Sequence, residues 1–251
     1  MRMNDLSIAF EERLEEIQSY LDLLESLEKQ VQKGIPQFGK NGPVITVQQQ
    51  RILYSSVYLQ LYNLVESTIS LCLEAISQRV VNEVTYPIHL SDSLRRQWVR
   101  FIARTHTELN YENRLESALS LCDHLVQSIP ISEFKIEKGA GGGWEDESID
   151  KIIREQLGFS FKIKSDVYTG IKRPFKDDLG PLKLVKDLRN KLAHGSLSFA
   201  ECGEGTTVSE LRELTKCTSS YLREVVACLQ LSMDSYEFLI PERAESKRSL
   251  K

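Results

Sequence analysis

Near residue 190 the chain reads Leu188-Arg189-Asn190-Lys191-Leu192-Ala193-His194-Gly195, which sets an arginine and a histidine five residues apart. The residue types suit proton transfer and oxyanion binding. An imidazole exchanges a proton near neutral pH, and a guanidinium offers a planar fork of donors to an anion. As a bare pattern R-x-x-x-x-H decides little, because 16 arginines and 4 histidines in 251 residues give about 0.25 occurrence by chance. Five residues turn about 140° around an ideal helix, so the two side chains diverge unless the last turn loosens. Gly195, directly after His194, is where loosening is expected. The plainer reading is that a cation and an imidazole near a helix C-terminus both favour the helix dipole.

The elements that must position these residues read as long helices. Leu14, Ile17, Leu21, Leu24 and Val31 repeat at three- and four-residue steps and predict a first helix from about Asn4 to Val31. Gly34, Pro36, Gly39, Gly42 and Pro43 mark a loop. Thr46 can cap a second helix over 46–84, apolar around most of its circumference and therefore central. Pro87 precedes a shorter helix opened by Ser91 and Asp92, and a further one is expected from near Thr107 through Leu109, Leu115, Leu119, Leu125 and Val126. From 129 to 180 the texture is broken by Pro130, the run GAGGG at 139–143, Gly158, Gly170 and Pro174. That stretch reads as an irregular insertion on the surface, holding a short helix (147–157) and a strand (159–163). Pro181 suits a first helical position and Gly195 a C′ position, which bounds the penultimate helix. Thr207-Val-Ser-Glu210 resembles a capping box opening a last helix to about Leu239, with Pro241 and a charged tail beyond. The fold expected is a single all-α bundle over 1–251.

Composition narrows the function classes. With 41% hydrophobic and 27% charged residues the chain has an ordinary globular make-up, and a net charge of −4 argues against a generic nucleic-acid coat. The uncharged stretch 52–65 is polar-dotted and too short to span a bilayer, and the N-terminus lacks a signal peptide's apolar run. Cys72, Cys122, Cys202, Cys217 and Cys228 are widely spaced, as expected of reduced thiols in a cytoplasmic protein. No P-loop, dinucleotide turn, H-E-x-x-H or G-x-S-x-G occurs, and His89, His106, His124 and His194 lie far apart. An enzyme on this chain is expected to need no metal and no cofactor, although scattered carboxylates leave Mg²⁺ binding open.

Leu184-Val-Lys-Asp-Leu-Arg189-Asn190-Lys-Leu-Ala-His194-Gly-Ser-Leu-Ser-Phe199, followed by a glycine-containing loop and a long final helix, resembles the HEPN superfamily. The earlier segment Val57-Tyr-Leu-Gln-Leu-Tyr-Asn-Leu-Val-Glu66-Ser-Thr68 is similar to a stand-alone bacterial branch of it. The resemblance spans the second helix and the last two, about 100 residues. It implies an antiparallel helical bundle and a metal-independent endoribonuclease, a homodimer in which both Arg/His motifs line one cleft. RNA carries its own nucleophile, the 2′-hydroxyl. His194 would move the proton and Arg189 would hold the phosphate, leaving a 2′,3′-cyclic phosphate and a 5′-hydroxyl. The family also implies a toxin or phage-defence role, with an antitoxin or defence-system partner protein. The alternative is a catalytically silent HEPN-like dimer that binds or scaffolds a partner.

Several other residues carry two readings each. Asn190 either orients His194 or binds a phosphate oxygen, or simply faces solvent. Glu66 shares a polar stripe with Asn63, Ser67 and Ser70; it either positions Arg189 or His194 or belongs to the wet face. Tyr54, Tyr58 and Tyr62, four residues apart, could stack bases or form core. Residues 160–191 hold nine bases against four acids, and Lys183, Lys186 and Lys191 are the expected RNA contacts beside the motif. Residues 1–31 are acidic and suited to dock on a basic surface.

Overall fold

Leu6, Phe10, Leu14, Ile17, Leu21 and Leu24 recur at three- and four-residue steps, and all are buried along one face of helix α1 (Met3–Val31). The arrangement comes from a computed structural model, described for residues 3–37, 39, 42–105, 107–137 and 143–249. His106 and residues 139–142 of the glycine run lie outside the described residues. Thr46 accepts the amide of Gln49, whose side chain returns to the Thr46 N–H, and this reciprocal cap opens α2 (Val47–Glu83). Buried residues surround α2, from Tyr54, Val57 and Leu61 through Ile69 and Ile76 to Val80. It is the central rod.

Ser91 caps α3 (Asp92–Ile102), and Asn110 caps α4 (Tyr111–Val126). The latter start lies four residues beyond the expected Thr107, because the Asn110 side chain, not the threonine, takes the Asn113 amide at 2.9 Å. Helix α4 packs on α3, with the His124 ring edge-on to Trp98, leaving Leu115, Leu119, Leu125 and Val126 exposed. Next come α5 (Asp146–Lys151), continued by a π turn at Ile152–Gln156, and α6 (Ser165–Lys172). After α7 (Pro181–Ala193) and the single turn α8 (Phe199–Cys202), Thr207 and Glu210 form the expected capping box of α9 (Val208–Asp234). The chain ends in α10 (Pro241–Arg248). Among the described residues there are ten α-helices and no sheet.

Helices α1, α2 and α9 pack against one another, α7 lies on α2 and α9, and α8 closes on α2. Three of the acids of α1 pair within the chain: Glu11 with Arg223, and Asp22 and Glu25 both with Arg212.

Three expectations change. Residues 129–180 are irregular, but they do not merely lie on the surface. Ile131, Phe134, Ile136, Trp144, Ile153, Leu157, Phe159 and Phe161 are all buried in the common core. The expected strand at 159–163 is extended and alternates inward and outward, yet it pairs with no strand. Its backbone is satisfied by α9 and the turn that follows: Ser160 N–H donates to Glu237 at 2.7 Å and Cys228 donates to the Lys162 carbonyl at 2.9 Å. The last long helix stops at Asp234, and the expected charged tail is α10, anchored by buried Ala244.

Gly203 is required by packing. A Cβ there would sit 2.0 Å from the Arg51 carbonyl oxygen of α2. Gly203→Ala is expected to cost about 1–3 kcal/mol in denaturant unfolding, since backbone must move on one side.

Candidate active site

Leu182, Val185, Arg189 and Leu192 fall on one stripe of α7, and the three apolar members are buried toward the body. Arg189 is therefore carried inward to α2. Its guanidinium carbon stands 3.6 Å over the centre of the Tyr62 ring, close enough for a cation–π stack. One turn along α2, Glu66 Oε2 lies 3.5 Å from Arg189 Nη2, and Asn190 Oδ1 accepts from Arg189 Nη1 at 2.9 Å. The Arg189 side chain is 29% exposed and that of Glu66 45% exposed. Aromatic face, carboxylate and amide thus fix a guanidinium whose remaining donors reach solvent.

The helix keeps its geometry through Ala193, so the divergence expected between Arg189 and His194 stands. His194 is the C-cap, with its N–H on the Asn190 carbonyl at 3.0 Å. Gly195 follows at φ +69°, its N–H on the Leu192 carbonyl at 3.2 Å, and the Ser196 N–H reaches the Lys191 carbonyl at 3.0 Å. Loosening comes after His194 rather than before it. The imidazole is exposed and makes no hydrogen bond among the described residues.

The structure therefore brings Arg189, Asn190 and Glu66 together and leaves His194 at the open end of the same helix. Glu66 contacts Arg189, not His194. Asn190 turns its oxygen to Arg189, while its backbone carbonyl holds the turn on which His194 sits. Among the expected RNA contacts, Lys186 is engaged by Glu145 at 2.9 Å and Lys191 by Asp187 at 2.8 Å. Lys183 is exposed with no carboxylate partner among the described residues.

The tyrosine ladder is core. Tyr54 and Tyr58 are buried, so base stacking on them is ruled out by access. Tyr62 is also buried but serves as the platform under Arg189, a role the sequence reading did not assign. Burial pushes its phenol up, with the Arg189 charge pulling the other way. The available signal was the four-residue step from Tyr62 to Glu66, which places both on one face of α2. Gly143 and Trp144 were missed as well: a Cβ on Gly143 would lie 3.1 Å from the Tyr62 hydroxyl, so the 129–180 segment walls this site. Burial drives the Cys72 thiol to about 12 and that of Cys202 to about 11, so neither is a reactive thiolate.

Because Glu66 is half exposed, its pairing with Arg189 adds little to stability. Glu66→Gln is expected to shift unfolding by less than about 1 kcal/mol, measured in denaturant, while freeing the guanidinium from its carboxylate.

A family model described as HEPN_MAE_28990-like HEPN matches residues 3–238. No curated protein and no solved structure matches the chain.

Proposed function

Because this chain belongs to the HEPN_MAE_28990-like HEPN family, we propose that it is a metal-independent endoribonuclease. HEPN domains are commonly ribonucleases, and some keep the fold without the activity. The observation that carries the catalytic reading is the fixed guanidinium: Arg189 stacked on Tyr62, flanked by Glu66 and Asn190, five residues before an exposed His194.

In this reading the 2′-oxygen of the substrate attacks the adjacent phosphorus. The P–O2′ bond forms as the P–O5′ bond breaks, and Arg189 faces the charge that builds on the non-bridging oxygens. One His194 takes the 2′-proton, and a second protonates the departing 5′-oxygen. RNA supplies the nucleophile, so the chemistry calls for no metal-bound water. Each chain has one His194, pointing away from its own Arg189, and pairing two copies about a two-fold axis would supply both acid and base. In a bacterial host such an enzyme would act as a toxin or phage-defence effector in the cytoplasm, held in check by a partner protein.

The end groups test the mechanism. A transcript cut by the chain should carry 2′,3′-cyclic phosphate and 5′-hydroxyl ends, and a 2′-deoxy substitution at the cut site should stop cleavage. Fragments with 3′-hydroxyl and 5′-phosphate ends would contradict 2′-oxygen attack.

A further inference from the structure

A second concave site lies at the other end of α2. Glu66 and Glu83 are 17 residues apart on that helix, about 26 Å along its axis. There a cavity of about 430 Å³ opens between the end of α2, the 87–89 turn and α10. The walls are fixed to each other by backbone. Ser91 N–H donates to the Phe238 carbonyl at 2.9 Å, and Ile240 N–H donates to the His89 carbonyl at 3.0 Å. Leu90 and Leu239 form an antiparallel bridge between these contacts.

Arg243, Ser246 and Lys247 stand at i, i+3 and i+4 on α10, so one helix face brings all three to the cavity. His89 meets them from the opposite wall, its Nε2 3.2 Å from Arg243 Nη2. The guanidinium N–H is aimed at an imidazole lone pair, and neither group has a carboxylate partner among the described residues. Glu83 also lines the cavity, but its Oε1 is held by Arg79 Nε at 2.8 Å, and Arg79 pairs with Asp234 as well. The cavity wall thus carries two cations, Arg243 and Lys247, against one carboxylate, Glu83, which Arg79 engages. Burial and the Arg243 charge both hold His89 below its ordinary range.

We propose that this cavity is an anion site that takes a phosphate monoester between Arg243, Lys247 and His89. The Arg243 fork, the Lys247 ammonium and the Ser246 hydroxyl, all on one face of α10, supply donors for the three terminal oxygens of such a group, while His89, whose Nε2 faces Arg243, closes the opposite wall. A carboxylate has only two oxygens to offer them. The volume exceeds a bare phosphate, and the half-exposed Tyr86 ring at the rim offers a face to whatever carries it. Arg243, Ser246 and Lys247 lie beyond residue 238, where the match to the family model ends, whereas Tyr86 and His89 lie within it.

Calorimetric titration of the full chain tests it with inorganic phosphate, adenosine 5′-monophosphate, and a short oligodeoxynucleotide carrying either a 5′-phosphate or a 5′-hydroxyl. Saturable phosphate binding is expected, and each phosphorylated probe should bind at least about tenfold tighter than its unphosphorylated counterpart, adenosine or the 5′-hydroxyl strand. Arg243→Gln should lose about tenfold or more with an unchanged thermal midpoint; Lys247→Gln carries the comparison if that variant unfolds. Tighter binding of the mononucleotide would identify a free ligand, and tighter binding of the oligonucleotide a nucleic-acid end. Absence of saturable phosphate binding, or equal affinity in a folded variant, would overturn the assignment. Cleavage by the Arg189 site plays no part in the readout.

Discussion

His194→Ala is expected to lower single-turnover RNA cleavage by about 10²–10⁴-fold, the usual contribution of a positioned proton-transfer group. Stability should hardly change. The ring is exposed and without a hydrogen bond among the described residues, and its backbone at φ −89°, ψ 0° suits alanine equally well. A surface change of this kind falls within about 0.5 kcal/mol. The structural work at this turn is done by Gly195 and by backbone hydrogen bonds, which the substitution leaves in place. Loss of rate without loss of fold would separate a chemical role from the dipole role that a terminal histidine can also play. Parallel measurements of rate and of denaturant midpoint make that distinction, and an unchanged rate would remove His194 from the chemistry.

Arg189→Lys should be nearly as damaging, with cleavage reduced by about 10²–10³-fold despite the retained charge. A lysine cannot lay a planar group over Tyr62 at 3.6 Å while reaching Glu66 and Asn190 with separate donors. Its ammonium is a point charge on a flexible stem, so the phosphate would lose its fork as well as its fixed direction. The loss should fall mainly on the maximal rate, because the guanidinium is placed to meet charge that develops in the transition state. A purely electrostatic contribution to substrate binding would instead raise KM and be largely restored by lysine.

Much of the bundle was legible in the sequence because local rules govern it. Thr46, Ser91 and Thr207 each cap the helix they were expected to open, and the apolar girth of α2 identified the central rod. What escaped depends on contacts distant in sequence. The alternation Phe159, Phe161, Ile163 is the pattern of a strand, but side chains of α9 and of the turn after it take its backbone groups, and no local signal distinguishes the two cases. Trp144 and Ile136 sit among glycines, prolines and charges that read as surface, yet both are buried in the core. At the candidate site the motif itself was plain, and the 140° divergence of Arg189 and His194 followed from helix geometry. That Tyr62 would lie under the guanidinium depends on how α7 docks against α2, which periodicity cannot specify.

The central claim meets its most direct test in total bacterial RNA incubated with the purified chain in EDTA, beside the Arg189→Ala/His194→Ala double variant. The account predicts cleavage by the wild type alone, with cyclic-phosphate ends and no restoration needed from divalent cations. Equal cleavage by the double variant, or cleavage that vanishes in EDTA and returns with Mg²⁺, would contradict it.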